Sequence, residues 1–253
     1  MSQATSGPCL VCGEETMSRC EACRRAGIGL FFCSKKHQKL LWPMHKRVCG
    51  PKANPFTWPG FSKEEVEKMK NGLHFPPSVG RESLAESLIH AFNIPESLLE
   101  HTLDMFVDGA FNPNAWATTQ HTILHLRFKE ACRVVTDTNE PLRTVEEVFR
   151  YCAPFALFSI GDALSPDKPL PSYYSRCQHL LLAYAYLSYL VETASTPKDR
   201  WDLAQLREGA QQRFVHLVQR DVRAENPGLA EEMLRAFHQA SKVEPFVRPF
   251  DRS

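Results

Sequence analysis

A chain of 253 residues with 43% hydrophobic and 23% charged side chains has the composition of a globular protein that buries a core, which excludes a disordered or fibrous chain. The net charge of +1 conceals an asymmetry: residues 1–50 hold 8 Lys/Arg against 3 Asp/Glu, leaving 22 against 26 elsewhere. No apolar run follows Met1, and the most apolar stretch, 180–191, is too short to cross a bilayer. An intracellular protein without a membrane partner is therefore expected, in cytoplasm or nucleus, with its nine cysteines reduced.

Six of those cysteines fall before residue 50. Cys9 with Cys12 and Cys20 with Cys23 form two CxxC pairs, each able to present two thiolates to one metal from a tight turn. Cys33, His37, His45 and Cys49 follow, which makes eight candidate ligands, the number that two tetrahedral sites of three Cys and one His require. Cys33/His37 and His45/Cys49 are each four positions apart, so on a helix both members of a pair share a face. Full coordination leaves no position for a reacting water, and the metals are expected to be structural. Mixed thiolate and imidazole ligands in a reducing compartment favour zinc. A head this short, with few aliphatic side chains, buries too little surface to fold unaided; a structural zinc supplies on the order of 10 kcal/mol in peptide systems. The plainer reading, six buried reduced thiols, leaves the regular spacings unexplained. Spacing alone permits sequential or interleaved pairing.

The two CxxC pairs followed by FFCSKKHQKLLWPMHKRVC resemble the MYND-type zinc fingers. That family's pattern is an aromatic residue, Cys, three residues, Cys, Gln, three residues, Trp, two residues, His, three residues, Cys. Phe32, Gln38, Trp42, His45 and Cys49 occupy matching positions. His37 stands where the family usually has Cys, and the nine residues between Cys23 and Cys33 are more than usual. Imidazole replaces thiolate at zinc readily, so the first departure alters the charge of the site and not its existence. The resemblance implies interleaved pairing, with Cys9, Cys12, Cys33 and His37 on a first zinc and Cys20, Cys23, His45 and Cys49 on a second. It also implies a protein-interaction role in which Gln38 and Trp42 contact proline-containing peptides, ligands whose extended form is already ordered and costs little entropy to dock. The competing reading of Trp42 is core packing over the zinc knuckles.

The basic residues Arg19, Arg24, Arg25, Lys35, Lys36, Lys39, Lys46 and Arg47 give the head an electrostatic footprint for nucleic acid, the runner-up partner. Their plainer role is to solvate a domain whose six thiolates outweigh two zinc ions, and no recognition helix or aromatic array accompanies them.

Beyond Cys49, the prolines Pro51, Pro55 and Pro59 interrupt regular structure, and residues 51–61 read as a proline-rich linker. Residues 62–253 then read as an all-α domain of about seven to nine helices, giving the chain three parts: finger 1–50, linker 51–61 and helical domain 62–253. Ser62 with Glu65 and Thr144 with Glu147 have capping-box spacing, while Pro197 after Thr196 and Pro227 after Asn226 suit first helical positions. Apolar residues over 115–135 suit a partly buried helix. The stretch 180–191, apolar nearly all round, suits the centre of a bundle, with Phe214, Leu217, Val218 and Val222 of a later helix packed on it. The proline cluster SPDKPLPS at 165–172 reads as a loop. His121 and His125 lie four apart but lack the glutamate of a zincin helix, and Cys132, Cys152 and Cys177 have no paired spacing, so both groups read as structural. Some MYND-type fingers accompany SET-domain methyltransferases, which would need strands and glycine-bearing cofactor loops; the helical pattern argues against an enzyme, and catalytic residues are expected to be absent.

Overall fold

The computed structural model describes residues 5–76, 82–107, 119–133, 144–160 and 169–242. In the head, β1 (Gly7–Pro8) pairs antiparallel with β2 (Glu15–Thr16), and the first CxxC turn lies in the loop between them. The second straddles the start of α1 (Glu21–Arg25), with Cys20 at the N-cap position and Cys23 inside the helix. Residues 30–32 then run between the two turns. Leu10 N donates to Phe31 O at 2.8 Å, Cys20 N to Leu30 O at 2.9 Å and Phe32 N to Ser18 O at 2.9 Å. This segment clamps both knuckles side by side and delivers Cys33 beside the first. Helix α2 (Lys35–His45) starts where Ser34 Oγ accepts from the His37 amide at 3.2 Å. Its inner face carries His37, Leu41, Met44 and His45 at helical spacing.

From residue 63 the described chain forms nine helices, one of them a single turn: α3 (Lys63–Asn71), α4 (Leu84–Phe92), α5 (Leu99–Met105), α6 (Thr119–Arg133), α7 (Val145–Phe158), α8 (Tyr174–Thr193), α9 (Pro197–Leu217), α10 (Arg223–Glu225) and α11 (Pro227–Lys242). The capping boxes expected at Ser62/Glu65 and Thr144/Glu147 form, each N-cap contributing about 1 kcal/mol, and Pro197 follows a Thr196 N-cap. Ser83 with Glu86 makes a third box that the sequence reading passed over. The helix expected over 115–135 is α6; its flanks, and residues 165–168 of the proline cluster, lie outside the described residues.

The apolar stretch forms the middle of α8, buried on nearly every side, and Phe214, Leu217, Val218 and Val222 are buried against the same core. A π-helical turn (Val218–Val222) between α9 and α10 holds its two valines inward. Two cores result. One contains Phe61 with apolar residues of α3, α4 and α5 and Phe106, which stacks on Phe128 at 3.7 Å. The other runs without a break from the zinc knuckles through Ala53, Phe56 and Trp58 into α7, α8, α9 and α11. Helix α6 serves both, through Ile123 and Leu126 on one side and Phe128 and Cys132 on the other.

Residues 51–61, the expected linker, are largely irregular as their prolines require, and they are packed as a seam against the body. Ala53, Phe56, Trp58 and Phe61 are buried, and the first turns of α8 hydrogen-bond the segment. Phe56 N donates to Ser175 Oγ at 3.0 Å, Ser175 Oγ donates to Asn54 Oδ1 at 3.0 Å, and Trp58 Nε1 donates to Tyr174 OH at 3.1 Å. Each buried aromatic contributes about 1.5–3 kcal/mol of apolar transfer, which is why this stretch adheres to the body despite its prolines. Among the described residues no helix is long and apolar enough to cross a membrane.

Candidate metal centre

The fold gathers the eight expected ligands into two groups of four, Cys9, Cys12, Cys33 and His37, and Cys20, Cys23, His45 and Cys49, with the ligand atoms of each group within 4.8 Å of one another. Pairing is therefore interleaved: each CxxC turn is completed by one end of α2. A tetrahedral zinc with Zn–S of about 2.3 Å and Zn–N of about 2.0–2.1 Å has S···S edges of about 3.8 Å and S···N edges of about 3.6 Å. In the first group Cys12 Sγ to Cys33 Sγ is 3.5 Å and Cys9 Sγ to His37 Nδ1 is 3.6 Å, with a tighter Cys33 Sγ to His37 Nδ1 of 3.1 Å. In the second, Cys23 Sγ lies 3.6 Å from His45 Nε2 and 3.7 Å from Cys49 Sγ, and Cys20 Sγ lies 3.5 Å from Cys49 Sγ. These are the edges of zinc tetrahedra and far too long for disulfides, whose S–S bond is about 2.05 Å. All six cysteines are free.

Crowded together, these donors hold protons that a zinc ion would displace. Burial pushes the Cys9 thiol up, yet backbone amides of Cys12, Cys33 and Val11 at its sulfur outweigh this and leave it below its ordinary value, prepared to ligate as thiolate. In the buried pair, Cys20 is driven down and Cys23 up, because sulfurs this close hold a proton between them unless a cation takes its place. Burial would depress His45, but the Cys20 and Cys49 sulfurs lift it to about 9. His37 turns Nδ1 toward its tetrad and His45 turns Nε2 toward its own, so the two imidazoles would hold their metals by different edges.

The surroundings of the two sites are unequal. Cys20, Cys23 and His45 are buried and only Cys49 is half-buried, whereas at the first site Cys9 alone is buried. Phe32 stands edge-on to His45 at 5.6 Å, and His179 of α8 lies 6.2 Å from it and hydrogen-bonds Ala53 O through Nε2 at 3.2 Å. The first site meets the body through Arg213 of α9, which donates to Leu10 O and Val11 O, the two carbonyls inside the CxxC turn. Sequence reading identified neither His179 nor Arg213, since nothing in their local sequence marks them.

On the outer face of α2, Trp42 is 45% exposed, its indole leaning on His45 at 6.0 Å between ring centroids. Gln38, one turn earlier on that face, is half-buried. Lys35, Lys39 and, just past the helix end, Lys46 share the face and are exposed. Elsewhere, His125 is buried against Phe106, and burial holds it well below its usual value; the side chain of His121 lies outside the described residues. Cys132, Cys152 and Cys177 are buried in the cores, as small hydrophobes are.

Two closed tetrads within about fifty residues define a structural binuclear zinc finger, a module that holds a surface in shape and has no open coordination position. Residues 9–49 match the MYND finger family, and this part of the chain is a MYND zinc finger, a protein-interaction module. The remainder of the chain is unassigned, and no curated protein and no solved structure matches the chain.

Proposed function

We propose that the protein is a non-enzymatic, zinc-dependent adaptor whose finger docks a proline-containing peptide of a partner protein on the Gln38 and Trp42 face. The exposed indole of Trp42 carries this reading. It stands on a helix whose backbone is fixed by the ligands His37 and His45 on either side of it, so docking orders little. A polyproline-like ligand brings its own order. The closed coordination of both metals supports the non-enzymatic part, and thiolate ligands suit a reducing compartment, cytoplasm or nucleus.

Full-length protein and its Trp42→Ala and Gln38→Ala variants, titrated against a panel of proline-containing peptides by fluorescence anisotropy, test the groove. Trp42→Ala is expected to keep two zinc ions and native helicity while losing about 2 kcal/mol, roughly thirtyfold in affinity, with Gln38→Ala milder. An intact Trp42→Ala protein that binds every recovered peptide as well as the parent rejects the groove; one that sheds zinc makes Trp42 scaffold instead.

One observation favours nucleic acid as a second reading: Lys35, Lys39 and Lys46 flank Trp42 and make no ion pair among the described residues. Binding to DNA or RNA that falls steeply with salt, while peptides bind weakly or not at all, would select it.

A further inference from the structure

We propose that Arg213, contributed by the helical body, is the positioning cation of the first zinc site, and that through it the body sets how firmly that zinc is held. The proposal rests on the two tetrads and is independent of the peptide groove.

Arg213 lies 203 and 202 positions from its two acceptors, and its Nη2 reaches Leu10 O at 3.1 Å and Val11 O at 2.6 Å. Those carbonyls belong to the two residues between Cys9 and Cys12, so the guanidinium fixes the turn that aims both sulfurs. Space for it is cleared on both sides by glycine. Gly13 has φ +81°, and a Cβ there would stand 2.7 Å from Arg213 Nη1; Gly209, one turn earlier on α9, would place a Cβ 3.2 Å from the same atom. Any side chain at residue 13 would thus be strained and would displace the guanidinium.

Charge gives the second half. Arg213 is half-buried, no carboxylate pairs with it among the described residues, and its Nε is buried without a hydrogen-bond partner. Even a half-buried cation is costly without a counter-charge. Three thiolates with one zinc dication carry one net negative charge, and that tetrad is the counter-charge on offer. Burial lowers the guanidinium's proton affinity, and the Cys9 and Cys12 sulfurs work against that, so the group lies within electrostatic reach of two ligands of this site. The body meets the second site differently. There the body supplies His179, a fully buried imidazole that lies against His45 and hydrogen-bonds Ala53 O. Because three of the four ligands of the first site are only half-buried, its zinc relies on this orienting charge where the other is protected by burial.

Groups beyond the ligands that orient a metal's donors typically affect metal affinity about 10–100-fold. The test uses zinc-loaded full-length protein, a chelator that reports zinc release, and a thiol alkylator whose sites are mapped by peptide mass. Arg213→Met keeps the stem and removes charge and donors. It is expected to speed release of the first zinc about tenfold or more, with early labelling of Cys9, Cys12 and Cys33, while Cys20, Cys23 and Cys49 label at the parental rate. Arg213→Lys restores charge on a shorter side chain whose ammonium does not reach the position of Nη2, and is expected to fall between parent and Met. Equal acceleration at both sites, or no change at either, overturns the proposal. So does failure of both variants to fold with zinc bound, since the arginine would then hold the whole chain rather than one site.

Discussion

The two zinc sites share a ligand set and differ in what surrounds it. The second is sealed: Cys20, Cys23 and His45 are buried, Phe32 and His179 flank the imidazole, and α8 closes over it. The first lies nearer the solvent, with three half-buried ligands and one cation from α9 behind its CxxC turn. Ligand type and spacing decide that zinc binds; where the body packs decides how each zinc is kept. A finger that borrows its core from residues 51–58 and from α8 and α9 is also a poor subject for excision. The full chain is the unit in which its surface should be studied.

The largest effect is expected from Cys23→Ser. It removes a fully buried ligand, and the zinc it holds is worth on the order of 10 kcal/mol, comparable with the 5–15 kcal/mol that stabilises a whole domain. Thermal melts followed at 222 nm should show α8 destabilised together with the head. A two-step melt with unchanged body stability would break the link between finger and body. His37→Ala should cost less: one zinc lost by elemental analysis, helicity retained, with His37→Cys keeping both metals. Loss of both zincs from His37→Ala would make the sites equivalent, contrary to their burial.

Gly13→Ala sharpens the comparison further. A non-glycine residue at φ +81° costs about 1–2 kcal/mol and crowds Arg213, so the first zinc should leave faster and the second at its parental rate. The smallest effect is expected from Trp58→Phe, which deletes the hydrogen bond to Tyr174 OH across the seam. A loss of about 1 kcal/mol in urea unfolding, with zinc content unchanged, is the expected outcome. No change would mean that the seam is held by apolar burial alone.

The ligands were legible in the sequence because coordination demands particular residue types at short, fixed spacings. The identity of the finger followed from them. The central helix was legible for a similar reason: a stretch apolar on all sides, such as 180–191, is stable only when packed on all sides. At 51–61 the prolines made the irregular backbone legible but not its burial, of which Phe56, Trp58 and Phe61 were the sign. Three large aromatics in eleven residues seldom stay in solvent. His179 and Arg213 lay beyond sequence reasoning altogether, since each meets its zinc site across more than a hundred residues and neither belongs to a local pattern. Gln38 and Trp42 fall between these cases. Their helix and face were foreseeable, while the exposure of the indole had to be seen.

The most direct test is the order in which zinc leaves the intact protein. Native mass spectrometry of the full chain should count two zinc ions, and a limiting chelator with an alkylating agent should remove them in two phases. The first phase is predicted to expose Cys9, Cys12 and Cys33 to labelling while Cys20, Cys23 and Cys49 stay protected. One zinc per chain, a single phase that labels all six cysteines together, or labelling that starts at Cys20, Cys23 and Cys49 would contradict the picture of one sealed site and one held from the body.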